Sequence, residues 1–159
     1  MKIYFAGPLF CQAELLFNAS LTQRLENIGY SVYLPQRDNE PFKRVGRVVG
    51  CERAIFDWDV KNILDADILL FILDGRVPDE GACVELGIAY MHQRFQKPDF
   101  KIIGLMTDSR YAFDGVPLNP MLSGVLNNIF KTEKELLADM GSLIVHNGNQ
   151  TDRANHLQV

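Results

Sequence analysis

A glutamate in the middle of the chain has an unusual setting for an acidic side chain. Glu85 belongs to the segment DEGACVELGIAY (79–90), whose residue pattern predicts a helix. Its helical neighbours three and four positions away are all small or apolar: Gly81, Ala82, Ile88 and Ala89. A carboxylate on such a face is costly unless it is hydrogen-bonded, paired or used in chemistry. Glu85 is therefore a candidate catalytic residue, and the alternative is a carboxylate tied structurally to Tyr4 or to a backbone N–H.

Further carboxylates crowd the same part of the chain, at Asp57, Asp59, Asp65, Asp67, Asp74 and Asp79. Because Mg²⁺ favours carboxylate oxygens, one interpretation is a divalent-metal site. Two acids separated by a single residue are a weak signal, however. Aspartate is also common at turns and at the first position of a helix, where Asp79 lies. The three histidines show no ligand spacing, so we predict no bound metal.

The chain lacks the glycine-rich motifs that hold phosphates. Neither G-x-G-x-x-G after the first strand-like run nor G-x-x-x-x-G-K-[ST] occurs, and no G-x-S-x-G marks a serine nucleophile. An acid-rich site without a phosphate-binding loop suits a neutral ligand with hydroxyl groups, such as a sugar or a nucleoside. No cofactor is predicted.

The elements that would position these residues follow from the apolar pattern. Strand-like runs alternate with helical repeats, which is typical of a parallel sheet with crossover helices. The predicted strands are residues 2–6, 30–34, 67–73, 101–106 and 142–145. The predicted helices include residues 17–28, 50–65, 80–94, 120–128 and 132–139. The predicted fold class is α/β, a flavodoxin-like or Rossmann-like three-layer sandwich with a mostly parallel five-stranded sheet.

Size and composition fit one globular domain that spans residues 1–159. No apolar run approaches the ~20 residues of a membrane helix, so no membrane contact is expected. The N-terminal run KIYFA predicts a strand rather than a signal peptide. The last ~12 residues are polar, and we expect them to form a flexible tail.

Charge and cysteine content restrict the partners and the compartment. The net charge is −4, and the basic residues are scattered apart from Lys43, Arg44 and Arg47. A nucleic-acid surface needs a concentrated basic face, so we predict no binding to a nucleic acid polymer. The three cysteines are odd in number and show no C-x-x-C spacing, which is typical of reduced thiols in a cytoplasmic protein.

The predicted architecture also gives the place of the site. In open parallel sheets, ligands bind beyond the carboxyl ends of the strands, where the strand order reverses. Here the carboxyl ends of the first three predicted strands carry AGPLF (6–10), PQRDNE (35–40) and DGRVPDE (74–80). We therefore expect the functional site among these segments.

Three segments resemble the nucleoside 2-deoxyribosyltransferase family. KIYFAGPLF (2–10) is similar to the family's first strand and glycine turn, and residues 59–89 carry its core signature, which ends in D-x-G-x-x-x-E-L-G. PLNPML (117–122) is similar to its P-x-N-x-M segment. The resemblance implies an enzyme of nucleotide salvage that transfers a 2-deoxyribosyl group between purine or pyrimidine bases. It also implies a covalent glycosyl-glutamate intermediate and retention of configuration at C1′.

The resemblance implies the roles of three catalytic residues. Glu85 falls on the nucleophile of the family. Tyr4 falls on the tyrosine that hydrogen-bonds and orients that glutamate. Asp59 matches an acidic residue near the base, which makes it a candidate for relaying a proton to the leaving nitrogen.

The resemblance also implies which residues contact the substrate, a deoxynucleoside or a free nucleobase. Asp79 matches an acidic residue that contacts sugar hydroxyls, and Phe10 lies where the family has an aromatic ring against the base. Gln36 and Glu40 lie in the loop that contacts the base. Asn119 and Met121 fall on residues that a neighbouring subunit contributes, so a homo-oligomer with shared active sites is implied.

Two other functions stay open. A 2′-deoxynucleoside 5′-monophosphate N-glycosidase, a hydrolase of the same fold, would need phosphate-holding groups. Residues 6–10 and 78–85 contain neither Ser nor Thr, and Asp79 and Glu80 would repel a phosphate. A non-catalytic nucleotide-binding module would not need Glu85. Base preference depends on the loops at 36–48 and 107–116, and it stays open together with the size of the oligomer.

Overall fold

A parallel sheet forms the centre of the protein. The computed structural model describes residues 1–40, 50–109 and 118–155, and the side chains of these up to Val145. Five strands pair in the order β2-β1-β3-β4-β5, and every pairing is parallel. The strands are β1 (Lys2–Ala6), β2 (Ser31–Tyr33), β3 (Ile68–Ile72), β4 (Lys101–Leu105) and β5 (Asn128–Phe130).

Helices cover both faces of the sheet. They are α1 (Gln12–Asn27), α2 (Pro35–Asp38), α3 (Glu52–Asp65), α4 (Glu80–Phe95), α5 (Pro120–Ser123) and α6 (Glu133–Asn155). Leu21 of α1 and Met140 of α6 pack with the side chains on one face, and Ile63 of α3 and Leu86 of α4 pack on the other. The three-layer α/β sandwich predicted from the sequence is therefore confirmed.

The strand order positions the candidate residues. It reverses between β1 and β3, because the chain first adds β2 on one side of β1 and then crosses to build β3, β4 and β5 on the other. A crevice at the carboxyl ends of adjacent strands arises at such a point. β3 is buried at all five positions, which fits the continuous apolar run of a strand covered on both faces.

The C-terminal third differs from the sequence prediction. The predicted helix over 120–128 ends at Ser123, and the fifth strand is Asn128–Phe130 rather than 142–145. The predicted helix over 132–139 continues through 142–145 to Asn155. The predicted strand is wrong because Leu136 and Met140, with Leu143 and Ile144 after them, follow a helical period and pack on the core as one stripe.

Some expectations fall on parts of the chain that the structure does not describe. Lys43, Arg44 and Arg47 lie outside the described residues, as do most of the loops at 36–48 and 107–116 and the end of the expected tail at 156–159. In the part of the chain that the structure describes, no helix is long and apolar enough to cross a membrane.

Candidate active site

A cavity of about 350 Å³ opens at the carboxyl ends of the strands, within the range of roughly 300–1,000 Å³ for small-molecule sites. The segment after β1, the segment after β2, helix α3 and the first turns of α4 form its walls. The candidate residues that line it are Phe10, Gln36, Asp59, Asp79 and Glu85. The cavity lies where the architecture led us to expect the site, and five of the candidate residues meet there.

Glu85 is half-buried in this cavity and is held by Tyr4. The Tyr4 hydroxyl donates a hydrogen bond of 2.6 Å to Oε1 of Glu85, and the tyrosine is completely buried in β1. Burial and the nearby carboxylates raise the pKa of Tyr4 far above its ordinary value, so the phenol keeps its proton and acts as the donor. Glu85 therefore has one oxygen fixed by the protein and a second, Oε2, for other partners.

The protonation of Glu85 reflects its surroundings. Burial raises its pKa to about 8, the hydrogen bond from Tyr4 lowers it, and the charges of Asp59 and Asp79 raise it further. A carboxyl group with a pKa near neutrality can exist in both forms at working pH. Such groups occur preferentially where acids and bases do chemistry.

Asp59 reaches the same cavity from α3. Its Oδ1 accepts one hydrogen bond of 2.8 Å from the hydroxyl of Tyr33 and one of 3.0 Å from Nδ2 of Asn39. Burial raises the pKa of Asp59, while the hydrogen bonds from Tyr33 and Asn39 lower it. The rings of Tyr4 and Tyr33 stack with centroids 5.3 Å apart, so the two tyrosines that hold the two acids support each other.

The substrate-contact candidates near the carboxyl ends have defined partners. Asp79 caps α4, since its Oδ1 accepts a hydrogen bond of 2.8 Å from the backbone N–H of Ala82. The Nε2 of Gln36 donates to the carbonyl oxygen of Leu15, and its Oε1 accepts a hydrogen bond from Asn18. The amide of Gln36 is thus held with a fixed orientation at the cavity wall.

Two further substrate-contact candidates, Phe10 and Glu40, differ in their position relative to the cavity. Phe10 projects from the segment after β1 and is 65% exposed, although it lines the cavity. Glu40 does not line the cavity. A large exposed ring beside a small-molecule cavity can stack on a planar ligand.

The two candidates that the resemblance assigns to a neighbouring subunit, Asn119 and Met121, do not line the cavity of their own chain. Asn119 caps α5 through a hydrogen bond of 2.8 Å that its Oδ1 accepts from the backbone N–H of Met121. Met121 is 78% exposed, which is high for a methionine. Neither residue lines the cavity of this chain. Their implied contribution to a neighbouring subunit's site stays a prediction.

The other acidic residues have separate partners. Asp57 pairs with Arg53, Asp67 pairs with Lys97, and Asp74 accepts a hydrogen bond from the hydroxyl of Thr107. Among the residues that the structure describes, no three histidine, cysteine or acidic side chains converge as metal ligands would.

Sequence reasoning missed Tyr33 and Asn39. Tyr33 reads as an ordinary strand residue, because aromatic side chains favour strands, and Asn39 reads as a loop residue. Asn39 is buried, and a buried amide needs a hydrogen-bond partner. Burial cannot be read from the sequence, so the sequence offered no usable signal for either residue.

The arrangement suits glycosyl chemistry on a neutral ligand. It combines a carboxyl group with one free oxygen, a second carboxyl with a raised pKa, and a capping aspartate at the rim. Among the described residues, no lysine, arginine or histidine lines the cavity. Two carboxyl groups in different surroundings can divide the roles of nucleophile and general acid.

Known proteins resemble this chain in sequence and in fold. The sequence model of a family described as nucleoside 2-deoxyribosyltransferase matches residues 3–150. The structure is similar to that of a conserved protein from Enterococcus faecalis V583, with 29% identity, a TM-score of 0.72, and 89% of this chain and 98% of that chain covered.

Two further solved structures share the fold at lower identity. A 2-deoxyribosyltransferase from Bacillus psychrosaccharolyticus is 23% identical, with a TM-score of 0.70 and with 86% of this chain and 90% of that chain covered. A CMP N-glycosidase from Clostridium botulinum is 19% identical, with a TM-score of 0.55 and with 88% and 97% covered. These two similarities establish the fold alone.

Proposed function

The chain belongs to the nucleoside 2-deoxyribosyltransferase family, and on that premise we propose that it transfers the 2-deoxyribosyl group from one nucleobase to another through Glu85. The observation that carries the proposal is the pairing of Glu85 with the hydroxyl of Tyr4 at 2.6 Å beside Asp59 in one cavity. That pairing gives a carboxylate a fixed direction next to a second carboxyl group that can hold a proton.

In the first step, the bond between C1′ and the base nitrogen breaks. Its electron pair goes to the base, and the base accepts a proton from Asp59. The Oε2 of Glu85 forms a bond to C1′, because Oε1 is occupied by the hydrogen bond from Tyr4. Positive charge develops on the sugar during this step, and a close carboxylate stabilises it before capturing it.

In the second step, the incoming base attacks C1′ of the glycosyl-enzyme. Its nitrogen forms the new bond, the proton that it loses returns to Asp59, and Glu85 leaves as a carboxylate. Two displacements at the same carbon give net retention at C1′. A proton donor that must also take the proton back works best with a pKa above that of an ordinary carboxyl group, and burial raises the pKa of Asp59 in that direction.

The charge of the cavity supports a nucleoside as substrate rather than a nucleotide. Asp59, Asp79 and Glu85 line it, and no basic side chain does so among the described residues. In the described part of the chain, no positively charged side chain would balance a phosphate beside these three carboxyl groups, whereas phosphate sites normally supply arginine, lysine or a row of backbone N–H groups. This weighs against hydrolysis of 5′-monophosphates and in favour of transfer between free bases.

The resemblance and the exposure of Met121 together support shared active sites. Asn119 at the start of the short helix α5 and Met121 within it do not line their own cavity, and Met121 is 78% exposed. We propose that they complete the site of a neighbouring copy in a homo-oligomer. None of the three cysteines, all of which the structure describes, forms a disulfide, which agrees with a cytoplasmic setting.

A base-exchange assay tests the proposal. The purified protein is incubated with 2′-deoxyinosine and adenine, and separately with thymidine and adenine. We expect deoxyadenosine from at least one donor, and which donors work reports the base preference. Glu85→Ala should lose the reaction by about a thousandfold or more, as expected for removal of a nucleophile.

Glu80→Ala is the matched control for this assay. Glu80 lies on the same helix but is exposed and does not line the cavity, so this variant should keep the exchange rate of the wild type. Cleavage of deoxynucleoside monophosphates without any base exchange would contradict the proposal and favour the hydrolase.

A further inference from the structure

One oxygen of Asp59 is saturated by hydrogen bonds from two separate elements. Tyr33 at the end of β2 donates to Oδ1 at 2.8 Å, and Asn39 after α2 donates to the same atom at 3.0 Å. A carboxyl oxygen has two lone pairs in its plane, so two donors occupy both. Oδ2 is the other acidic position of Asp59.

Neither donor can reverse its role. The amide nitrogen of Asn39 has hydrogens but no lone pair that accepts. Burial and the neighbouring charge of Asp59 raise the pKa of Tyr33 well above its ordinary value, so its hydroxyl keeps its proton. That hydroxyl could accept from Asp59 only by turning its own proton away from the one acceptor that it contacts among the described residues. Both residues are buried, with 6% and 3% of their surfaces exposed, which limits other orientations. Oδ1 is therefore an acceptor in either protonation state of the acid.

We infer that Tyr33 and Asn39 are positioning residues that confine the transferable proton of Asp59 to Oδ2. The inference rests on the proposed role of Asp59 as the group that protonates the leaving base. When Asp59 is a carboxylic acid, its one proton cannot lie on an oxygen whose lone pairs are already taken by donors. The proton is thus held on one known atom, and the base nitrogen must approach that atom.

The same two hydrogen bonds affect the pKa of Asp59 and therefore its strength as a proton donor. They stabilise the carboxylate that remains after transfer, and they oppose the effect of burial on its pKa. Other titratable groups face Asp59 from the elements packed around α3. They are Tyr4 of β1, Tyr33 of β2, Asp38 of α2, Asp79 at the start of α4, and Glu85 of α4.

Leaving-group dependence distinguishes proton positioning from simple destabilisation. Tyr33→Phe keeps the ring and its stacking on Tyr4 but removes the donor. We expect its kcat with 2′-deoxyinosine to fall about tenfold or more, since general acid assistance is worth roughly 100-fold to 10,000-fold in total. Its rate with 4-nitrophenyl 2-deoxyriboside, whose phenolate leaves without a proton, should stay within about twofold of the wild type.

The pH profile gives a second result that a structural role would not produce. Activity requires protonated Asp59, so it falls on the alkaline side as that group ionises. Loss of a donor that favours the carboxylate raises the pKa of Asp59. The alkaline limb of kcat should therefore move to higher pH by about 0.5–1 unit in Tyr33→Phe and in Asn39→Ala.

Tyr30→Phe is the matched control. The hydroxyl of Tyr30 also donates a buried hydrogen bond of 2.8 Å, to the carbonyl oxygen of Met140, but it packs on the opposite face of the sheet. This variant should lose comparable stability and keep the wild-type pH profile and leaving-group dependence. Equal losses with both substrates in Tyr33→Phe, or the same profile shift in Tyr30→Phe, would overturn the inference.

A titration separates this inference from the proposed function. The protein is labelled with ¹³C at the aspartate carboxyl groups, and the Asp59 signal is assigned with Asp59→Asn. A higher pKa of Asp59 in Tyr33→Phe than in the wild type supports the positioning role even if the protein exchanges no bases. An unchanged pKa overturns that role, whatever the exchange assay gives.

Discussion

At the scale of single residues, the sequence already distinguished Glu85 from the surface acids by its small and apolar neighbours. The structure adds the reason that it is tolerated there, which is the hydroxyl of Tyr4 at 2.6 Å. The structural alternative, a carboxylate tied to Tyr4, is what this hydrogen bond shows. The functional one stays a prediction that is compatible with it, since a nucleophilic carboxylate also needs a partner that orients it. Tyr33 and Asn39 could not be predicted, because they reach Asp59 from 26 and 20 residues away along the chain without a recognisable motif.

A stability prediction follows from the pKa of Glu85. Glutamate in the unfolded chain has a pKa of about 4.3, whereas burial raises that of Glu85 to about 8. Between these values the folded protein binds a proton that the unfolded chain lacks, so its stability falls as the pH rises. Glu85→Gln stays neutral and should be more stable than the wild type by about 1–3 kcal/mol near pH 8.

Urea unfolding at a series of pH values checks this prediction. The advantage of Glu85→Gln should grow steadily from about pH 5 to about pH 8. Glu80→Gln, on the exposed side of the same helix, should show no such trend. A stability difference that is constant with pH would mean that Glu85 is not a proton-binding group of the folded state in this range.

At the scale of elements, the sequence predicted the first four strands and helices α1, α3 and α4 to within two residues at every boundary except the start of α1, which begins at Gln12 rather than at residue 17. The short helix α2 was not predicted, since residues 35–38 read as part of a loop. The apolar residues of the correctly predicted elements recur with a clear strand or helix period, and residues that end an element follow them. One is Gly29, whose φ of 104° suits the end of α1. The fifth strand escaped prediction because it has three residues at the edge of the sheet and is only partly buried. The strand predicted at 142–145 is wrong, because a short apolar run does not distinguish a strand from one turn of a buried helix.

Gly7 links the element scale to the site. It follows β1, lines the cavity, and a Cβ there would lie 2.9 Å from Cβ of Ile72 in β3. Gly7→Ala should therefore destabilise the protein by about 1–3 kcal/mol and displace the segment that carries Phe10, with loss of exchange activity. Thermal unfolding and the exchange assay measure both effects.

Gly87 provides the comparison for that variant. It lies within α4, where an added Cβ would meet nothing within 4 Å. Gly87→Ala should stabilise the protein by about 0.5–1 kcal/mol, because alanine favours a helix over glycine, and should leave exchange unchanged. If both alanine variants behaved alike, the close approach of β1 and β3 at Gly7 would not explain the choice of glycine.

At the scale of the whole molecule, the cavity joins segments from residue 7 to residue 85, which only the reversal of strand order between β1 and β3 brings together. The general position of the site was therefore predictable from the alternation of strands and helices. The shape of its outer wall was not, because the loops at 36–48 and 107–116 have no period from which a conformation follows.

Shared active sites give a prediction that depends on the whole assembly. Glu85→Ala and Asn119→Ala should each lose exchange activity. In an oligomer of either variant alone, every shared site lacks one of these two residues. Mixed dimers of the two variants contain one site with both residues intact. Co-expression should therefore recover about a quarter of the wild-type activity per site. Activity in the mixture no higher than the average of the separate variants would show that Asn119 serves no neighbouring site.

The most direct test of the account is a search for the glycosyl-enzyme itself. The protein is mixed with 2′-deoxyinosine in the absence of an acceptor base, quenched in acid, and analysed by intact mass and by peptide mapping. We predict a mass increase of one 2-deoxyribosyl group on the peptide that carries Glu85, its absence in Glu85→Gln, and its loss when adenine is added before the quench. Base exchange without any adduct, or with inversion at C1′, would contradict covalent transfer through Glu85.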